Sequence, residues 1–321
     1  MTVKNNQIIV HYCCDSYMYG AHGGVPRFDY QIWLAFPNRI FFRQQQTREL
    51  LVFLHQHPNA IVITDNHLSC DIPKNIKVIL VHHGCAKTTF DRNPENGEDF
   101  YKFFVVRQKE MLEYRDPKNT TIVSISKACT DDFTNYYGQL YTKFPRQLIL
   151  HPSELQEDRF KTVFNNQPIV LGNWRGAKKG EGLINTLRNN ITNFKFQQLQ
   201  IGIDQRGIEN FNQRKQYIYL ASDIFLQISN SEGNSYATLD ALICGLPVVS
   251  SNVGLFYGDV PEDCFVKLEW ERNGDAEYVQ SKLEYAWKNR ETLSKNARNW
   301  YLNNCCLEEW KKKFQQLLAN F

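Results

Sequence analysis

The chain has 321 residues, 42% of them hydrophobic and 22% charged, with a formal net charge of +3. This is the composition of an ordinary soluble globular protein, and so small a charge gives no basis for binding nucleic acid or an anionic membrane surface. No apolar run approaches the roughly 18 to 20 residues of a membrane span.

The length suits two domains of about 150 residues each. The opening "MTVKNNQIIVHYCC" has too short an apolar core for a secretory signal and lacks a small-residue cleavage site, so a cytoplasmic protein is expected, with peripheral membrane contact left open. Nine cysteines stand at 13, 14, 70, 85, 129, 244, 264, 305 and 306. Their number is odd and no C-x-x-C pair occurs. They read as reduced thiols, several in the core, and not as zinc ligands or a disulfide framework.

In chain order, "QIIVHYCC" (7–14), "AIVITD" (60–65), "KVILVHHG" (77–84) and "TIVSIS" (121–126) read as buried parallel strands. Helix-compatible stretches such as "FDYQIWLAFP" and "DFYKFFVVRQKEMLEYR" lie between them. Asp131-Asp132 reads as a pair of first-turn acids favoured by the helix dipole. The rhythm restarts after Pro152. "QPIVLGNW" (167–174), "KFQQLQIGI" (195–203), "SDIFLQIS" (222–229) and "PVVSS" (247–251) form a second strand set. Two βαβ series predict two doubly wound α/β domains, 1–158 and 159–304. Long linkers are absent, so the domains are expected to share a cleft.

The segment "CLEEWKKKFQQLLANF" (306–321) reads as an amphipathic helix with Leu307, Trp310, Phe314, Leu317 and Leu318 in one stripe. Docking within the fold is the first reading of that stripe. Membrane or partner binding by its Lys311-Lys312-Lys313 face is the second.

The chemistry concentrates in "SNSEGNSYATLDALICGLPVVSS", which ends at Ser251. A strand ends at Ser229, "NSEGNSY" is a polar turn, "YATLDALIC" is a helix, and Gly245 stands where a C-terminal cap takes positive φ. Ligands bind outside the carboxyl ends of parallel strands, and a helix N-terminus there favours an anion. Glu232 and Asp240 therefore flank an expected phosphate or sugar site. Read singly, Glu232 is a solvated turn residue and Asp240 a helix-surface acid. An acid among Leu239, Ala241, Leu242 and Ile243 costs stability unless something pairs with it.

The string "YIYLASDIFLQISNSEGNSYATLDALICGLPVVSSNVG" resembles the donor-site signature of family 4 of the GT-B glycosyltransferases. The likeness covers about forty residues and joins Glu-Gly, a second acid eight residues on, and Gly-Leu-Pro-Val-Val. Weaker likenesses follow the chain: "GAHGGVPRF" (20–28), "VILVHHG" (78–84), "TIVSISKACTDDF", "LILHPSELQEDRF" (148–160) and "IVLGNWRGAKKGEGLI". The resemblance implies two Rossmann-like domains facing across a cleft. The first would bind the acceptor and the second a nucleotide-diphosphate sugar, with the last helix (305–321) returning to the first domain.

It also implies transfer of the sugar with retention to a glycan, lipid-linked or other hydroxyl acceptor. Glu232 would face the donor sugar and Asp240 the ribose hydroxyls, although the family has Glu at the latter place. Backbone amides of Gly233, Asn234, Ser235 and Tyr236 would cradle phosphate. Arg175 and Lys179, with Lys178 as competitor, would neutralise the diphosphate, at an Arg-to-Lys spacing one shorter than the family's. Gly23 and Gly24 would let backbone approach phosphate or sugar. One of His82 and His83 would touch sugar or acceptor, a structural histidine being the default for either alone. No D-x-D pair ends a strand, so neither a metal nor another cofactor is expected. A nucleotide-sugar epimerase of similar build and a catalytically silent nucleotide-sugar binder are the alternatives.

Overall fold

A computed structural model of the chain describes residues 7–14, 23–93, 98–200 and 208–321. The chain divides into two compact units. The first comprises the described residues of Met1–Phe90, Gly97–His151 and Glu308–Phe321, and the second those of Asp91–Asn96 and Pro152–Leu307.

The first unit holds β1 (Ile9–Cys13), β2 (Ile40–Arg43), β3 (Ile61–Asp65), β4 (Lys77–His82), β5 (Thr120–Ser124) and β6 (Arg146–Leu148). They form one sheet in the order β2-β1-β3-β4-β5-β6, parallel throughout. Between the strands run α1 (Gly24–Ala35), α2 (Thr47–Gln56), α3 (Ala86–Arg92), α4 (Glu98–Tyr114), α5 (Lys127–Tyr137) and α6 (Gln139–Thr142). All of β3 and all but the first residue of β4 are buried, as strands covered on both faces require. Two strands absent from the sequence reading, β2 and β6, are the sheet's edges. Every residue of β2 is half-buried and β6 has three residues, so neither carries a continuous buried run. Asp131 and Asp132 lie beyond the first turn of α5, because the helix starts at Lys127 behind an Ser126 cap whose hydroxyl accepts from Cys129 N. Asp131 instead pairs with Lys127 at 2.5 Å.

The second unit holds β7 (Ile169–Gly172), α7 (Glu181–Asn190), β8 (Lys195–Gln198), α8 (Ile208–Ala221), β9 (Ile224–Gln227), α9 (Tyr236–Ile243), β10 (Val248–Ser251), β11 (Val266–Leu268), α10 (Ala276–Lys288) and α11 (Arg290–Asn304). Its parallel sheet has the order β11-β10-β9-β7-β8. The end of the expected strand 195–203 lies partly outside the described residues. Helix α9 stops where expected, with Gly245 at φ 68° and its N–H on Leu242 O.

A last helix, α12 (Leu307–Ala319), places Trp310, Phe314, Leu317 and Leu318 in the interior. Trp310 packs on Phe314 with ring centroids 4.5 Å apart and edge-on against Phe28 of α1 at 6.2 Å. The apolar stripe is thus part of the first unit's core. Lys311 and Lys312 on its outer side pair with Glu308 and Glu309. Among the described residues no helix is long and apolar enough to cross a membrane. All nine cysteines are free thiols, six of them buried.

Candidate functional site

In the second sheet, β7 leads to β8 on one side while β9 lies on the other. This reversal opens a crevice at the carboxyl ends of β7 and β9, the general ligand position of open parallel sheets. The loops that follow these strands, 173–180 and 228–235, touch there. Asn230 N donates to Lys178 O at 2.9 Å. Gly180, at φ 88°, lies so close to Ile228 that a Cβ would meet its Cγ1 at 2.6 Å and its Cδ1 at 2.7 Å. Glycine at 180 is what lets the two loops meet. A third loop joins from β10, where a Cβ on Gly254 would approach Glu232 Cβ at 3.0 Å and Gly233 O at 3.2 Å.

The contact brings together two of the residues singled out from sequence. Lys179 Nζ stands 2.5 Å from Glu232 Oε1, with the side chains 19% and 6% exposed. Burial alone would raise the Glu232 carboxyl. The Lys179 ammonium, next the Lys178 charge, and hydrogen bonds from Lys179 and Ser229 outweigh it and hold the carboxyl below its usual range. Glu232 is therefore an ionised acid in a poorly solvated place, not a solvated turn residue. Lys178 is half-buried beside it and Arg175 is exposed on the same loop. Asn234, Ser235 and Tyr236 are buried at the start of α9, and Gly233 is half-buried. Ser235 is the N-cap, in extended conformation and without a side-chain hydrogen bond.

Asp240, one turn on, is 1% exposed rather than on a helix surface. Its Oδ1 accepts from Ser153 Oγ at 2.6 Å and its Oδ2 faces Lys215 Nζ at 3.2 Å. Ser153 N in turn donates to the buried Tyr301 hydroxyl at 2.8 Å. The partner that an acid in an apolar helix requires is thus a buried lysine on α8. Sequence reasoning missed Lys215 and Ser153. One signal was present: Lys215 sits four residues from both Phe211 and Tyr219, where the helix's buried face calls for an apolar residue.

The remaining candidates lie in the first unit. Gly23, at φ 143°, precedes α1, and Gly24 is its first residue. The rest of the β1–α1 loop lies outside the described residues. His82 ends β4 with no exposure and stacks on Phe133 at 4.0 Å. Burial, with His83 adding, lowers its imidazole to about 3. His83 follows outside the strand, 10% exposed, with Nε2 on Asp65 Oδ1 at 2.6 Å. His11, Cys13 and Asp29 bring three potential metal-ligand atoms within 4.8 Å of one another. Arg39 Nε, however, approaches His11 Nδ1 at 3.3 Å as donor. That leaves His11 Nε2 as an N–H toward Asp29, 2.9 Å away, and not as a lone pair for an ion.

No protein-family model matches the sequence, and no curated protein does. Solved structures match it over nearly its whole length. A sucrose-phosphate synthase from Thermosynechococcus elongatus is 15% identical, with 98% of this chain and 99% of that one covered at a TM-score of 0.71. HepE from Anabaena, in complex with UDP-glucose, is 11% identical over 98% and 100% of the two chains at 0.69. WaaG, a glycosyltransferase of lipopolysaccharide biosynthesis, is 15% identical over 97% and 100% at 0.65. The chain has the GT-B fold of these enzymes.

Proposed function

We propose, with the GT-B fold as premise, that the protein is a glycosyltransferase that moves a sugar from a nucleotide-diphosphate donor to a hydroxyl acceptor on a glycan or a lipid-linked sugar. The observation that carries the reading is the Lys179–Glu232 pair at the crevice between β7 and β9. Departure of a diphosphate builds negative charge on its oxygens and positive charge on the anomeric carbon. A lysine and a carboxylate side by side serve both ends of that separation without a change of protonation. Lys179, with Lys178 and Arg175 on the same loop, neutralises the diphosphate. Glu232, held ionised by Lys179, faces the sugar and opposes the charge on its ring carbon.

The amides of Gly233, Asn234, Ser235 and Tyr236 stand at the start of α9, where the helix dipole favours phosphate. Asp240, which accepts from Ser153 and faces Lys215, is the acid this reading sets against the vicinal ribose hydroxyls. Gly23 and Gly24 serve close backbone approach in the first unit. Retention at the anomeric carbon and independence of metal complete the reading, and turnover is expected to persist in EDTA.

Calorimetry with UDP, GDP and ADP, combined with donor-consumption rates, tests it. Lys179→Met should weaken nucleoside-diphosphate binding by about ten- to a hundredfold, the scale of a charge-assisted hydrogen bond. Glu232→Gln should leave that affinity nearly intact and slow consumption of the sugar donor, since the sugar is absent from the free nucleotide. Unchanged turnover in both variants would remove the site. Isomerised donor would make the protein an epimerase, and binding without turnover a silent binder.

A further inference from the structure

The end of α3 is built into the loop that carries Glu232. Asp91–Asn96, the stretch that closes α3 and follows it, groups with the second unit and not with the first. Of its described residues, Arg92 is half-buried and Asn93 is 6% exposed. Both take hold of Asn230, two residues before Glu232. Asn93 Nδ2 donates to Asn230 Oδ1 at 3.0 Å, and Asn230 Nδ2 donates back to Asn93 Oδ1 at 2.8 Å. Arg92 Nη1 donates to Asn230 O at 2.7 Å. Asn230 N donates in turn to Lys178 O at 2.9 Å. Every polar group of Asn230, backbone and side chain, is thereby engaged.

Two further contacts brace this grip. The Arg92 guanidinium lies over the Trp270 ring, 5.1 Å from its centroid. Asn273, three residues on, donates from Nδ2 to Ile228 O at 3.0 Å and to Ser251 Oγ at 2.8 Å. The backbone is thus held at residues 228 and 230, and Glu232 follows. The paired amides of Asn93 and Asn230 are neutral. They fix the loop without adding a charge beside the Lys179–Glu232 pair. The loop of Lys179 is pinned separately. Lys179 N donates to Gly176 O at 2.9 Å, and Gly176 N donates to Glu181 Oε2 at 2.9 Å. Asn93 therefore bears on the carboxylate of the pair more than on its ammonium.

We propose that Asn93, with Arg92, is a positioning residue for the transfer step: by fixing Asn230 it sets where the Glu232 carboxylate stands against Lys179 and the donor sugar. The inference rests on the transferase reading above. It gives a part in the reaction to a segment 137 residues before Asn230 in the chain. A small misplacement of a group that meets the reacting sugar costs rate, while a free nucleoside diphosphate, which has no sugar at that place, does not register it. A loosened loop also draws Glu232 away from Lys179. Burial by itself raises this carboxyl, and the Lys179 and Lys178 charges with hydrogen bonds from Lys179 and Ser229 hold it low. Its ionised form would then be lost at a higher pH than in wild type.

The test compares wild type with Asn93→Ala, Asn230→Ala and the double variant. Calorimetry with UDP, GDP and ADP gives nucleotide affinity. Single-turnover consumption of UDP-glucose, GDP-mannose and ADP-glucose across pH gives the rate and its acid limb, under conditions where circular dichroism shows each protein folded. Asn93→Ala should slow consumption by about ten- to a hundredfold, with nucleotide affinity held within about threefold. Its acid limb should move to higher pH, because the rate falls as Glu232 is protonated. The double variant should be no more than about threefold slower than the worse single one, since each amide acts through the other. Should Asn93→Ala fail to fold, Asn230→Ala carries the same expectations for rate, affinity and pH. A rate within about threefold of wild type, an acid limb that stays in place, a loss that falls on nucleotide affinity instead of rate, or multiplying losses in the double variant each overturns the proposal. Wild-type protein that binds none of the nucleotides, or binds without turnover, overturns the transferase reading itself and the proposal with it.

Discussion

His82 makes the stability of the first unit sensitive to acid. Its ring has no exposure, and among the described residues neither ring nitrogen has a hydrogen-bond partner. Burial, with a smaller contribution from His83, lowers it from 6.5 to about 3. The unfolded chain therefore binds the proton more readily than the folded one. The neutral ring's contribution to stability is complete above pH 6.5 and is lost as pH falls toward 3. At about 1.4 kcal/mol per unit, the full difference has a ceiling of about 5 kcal/mol, and the fall from about pH 7.5 to about pH 5 costs about 2 kcal/mol. His82→Leu keeps an apolar contact with Phe133 and removes the titration. Native-state amide exchange in β4 and β5, corrected for intrinsic rates, reads the opening free energy at both pH values. Wild type should lose about 2 kcal/mol more than the variant over this interval. Buried His11 and His151, also lowered chiefly by burial, contribute to both proteins and cancel in the difference. Equal losses in the two proteins would refute the reasoning.

Other expectations follow from buried contacts. Asp240→Asn and Lys215→Met should each cost about 3 to 5 kcal/mol, because each strands one member of a buried ion pair; in a urea-unfolding cycle the double variant should cost less than the sum, and strict additivity would deny the coupling. Gly180→Ala should destabilise by about 1 to 3 kcal/mol through its left-handed backbone alone, with a further cost against Ile228 that Ile228→Ala relieves in the same unfolding measurement. Trp310→Ala should cost about 3 to 5 kcal/mol, seen as faster amide exchange in β1 and β4; unchanged exchange there would deny that α12 completes that core.

The central strands were legible in the sequence because both their faces are buried, so β3 and β4 read as unbroken apolar runs. Three of the four edge strands were not. Half-exposed "IFFR" and the three-residue β6 and β11 carry no such run, and only pairing with a neighbour makes them strands. At the site, Glu232 and Asp240 were legible because a strand, a glycine-containing loop and a helix follow one another locally. The partners of Asp240 and His83 were not. Ser153 stands 87 residues before Asp240 in the chain, and Asp65 stands 18 before His83. Such contacts form only when the sheets close, and no local pattern announces them. Lys215 left a trace, a charge on an apolar stripe, that spoke of burial but not of its partner.

The return of α12 to the first unit sets an order on the birth of the protein. Pro152–Leu307 is continuous, so the second unit has nearly all its residues as soon as that stretch has left the ribosome. The first unit begins earlier but ends later. The buried residues of α12, among them Trp310 and Phe314, which cover Phe28, are made after everything else the two cores contain. The usual rule that the N-terminal domain folds first is therefore reversed in its last step. Until residues 308–321 emerge, Phe28 on α1 stands without its cover.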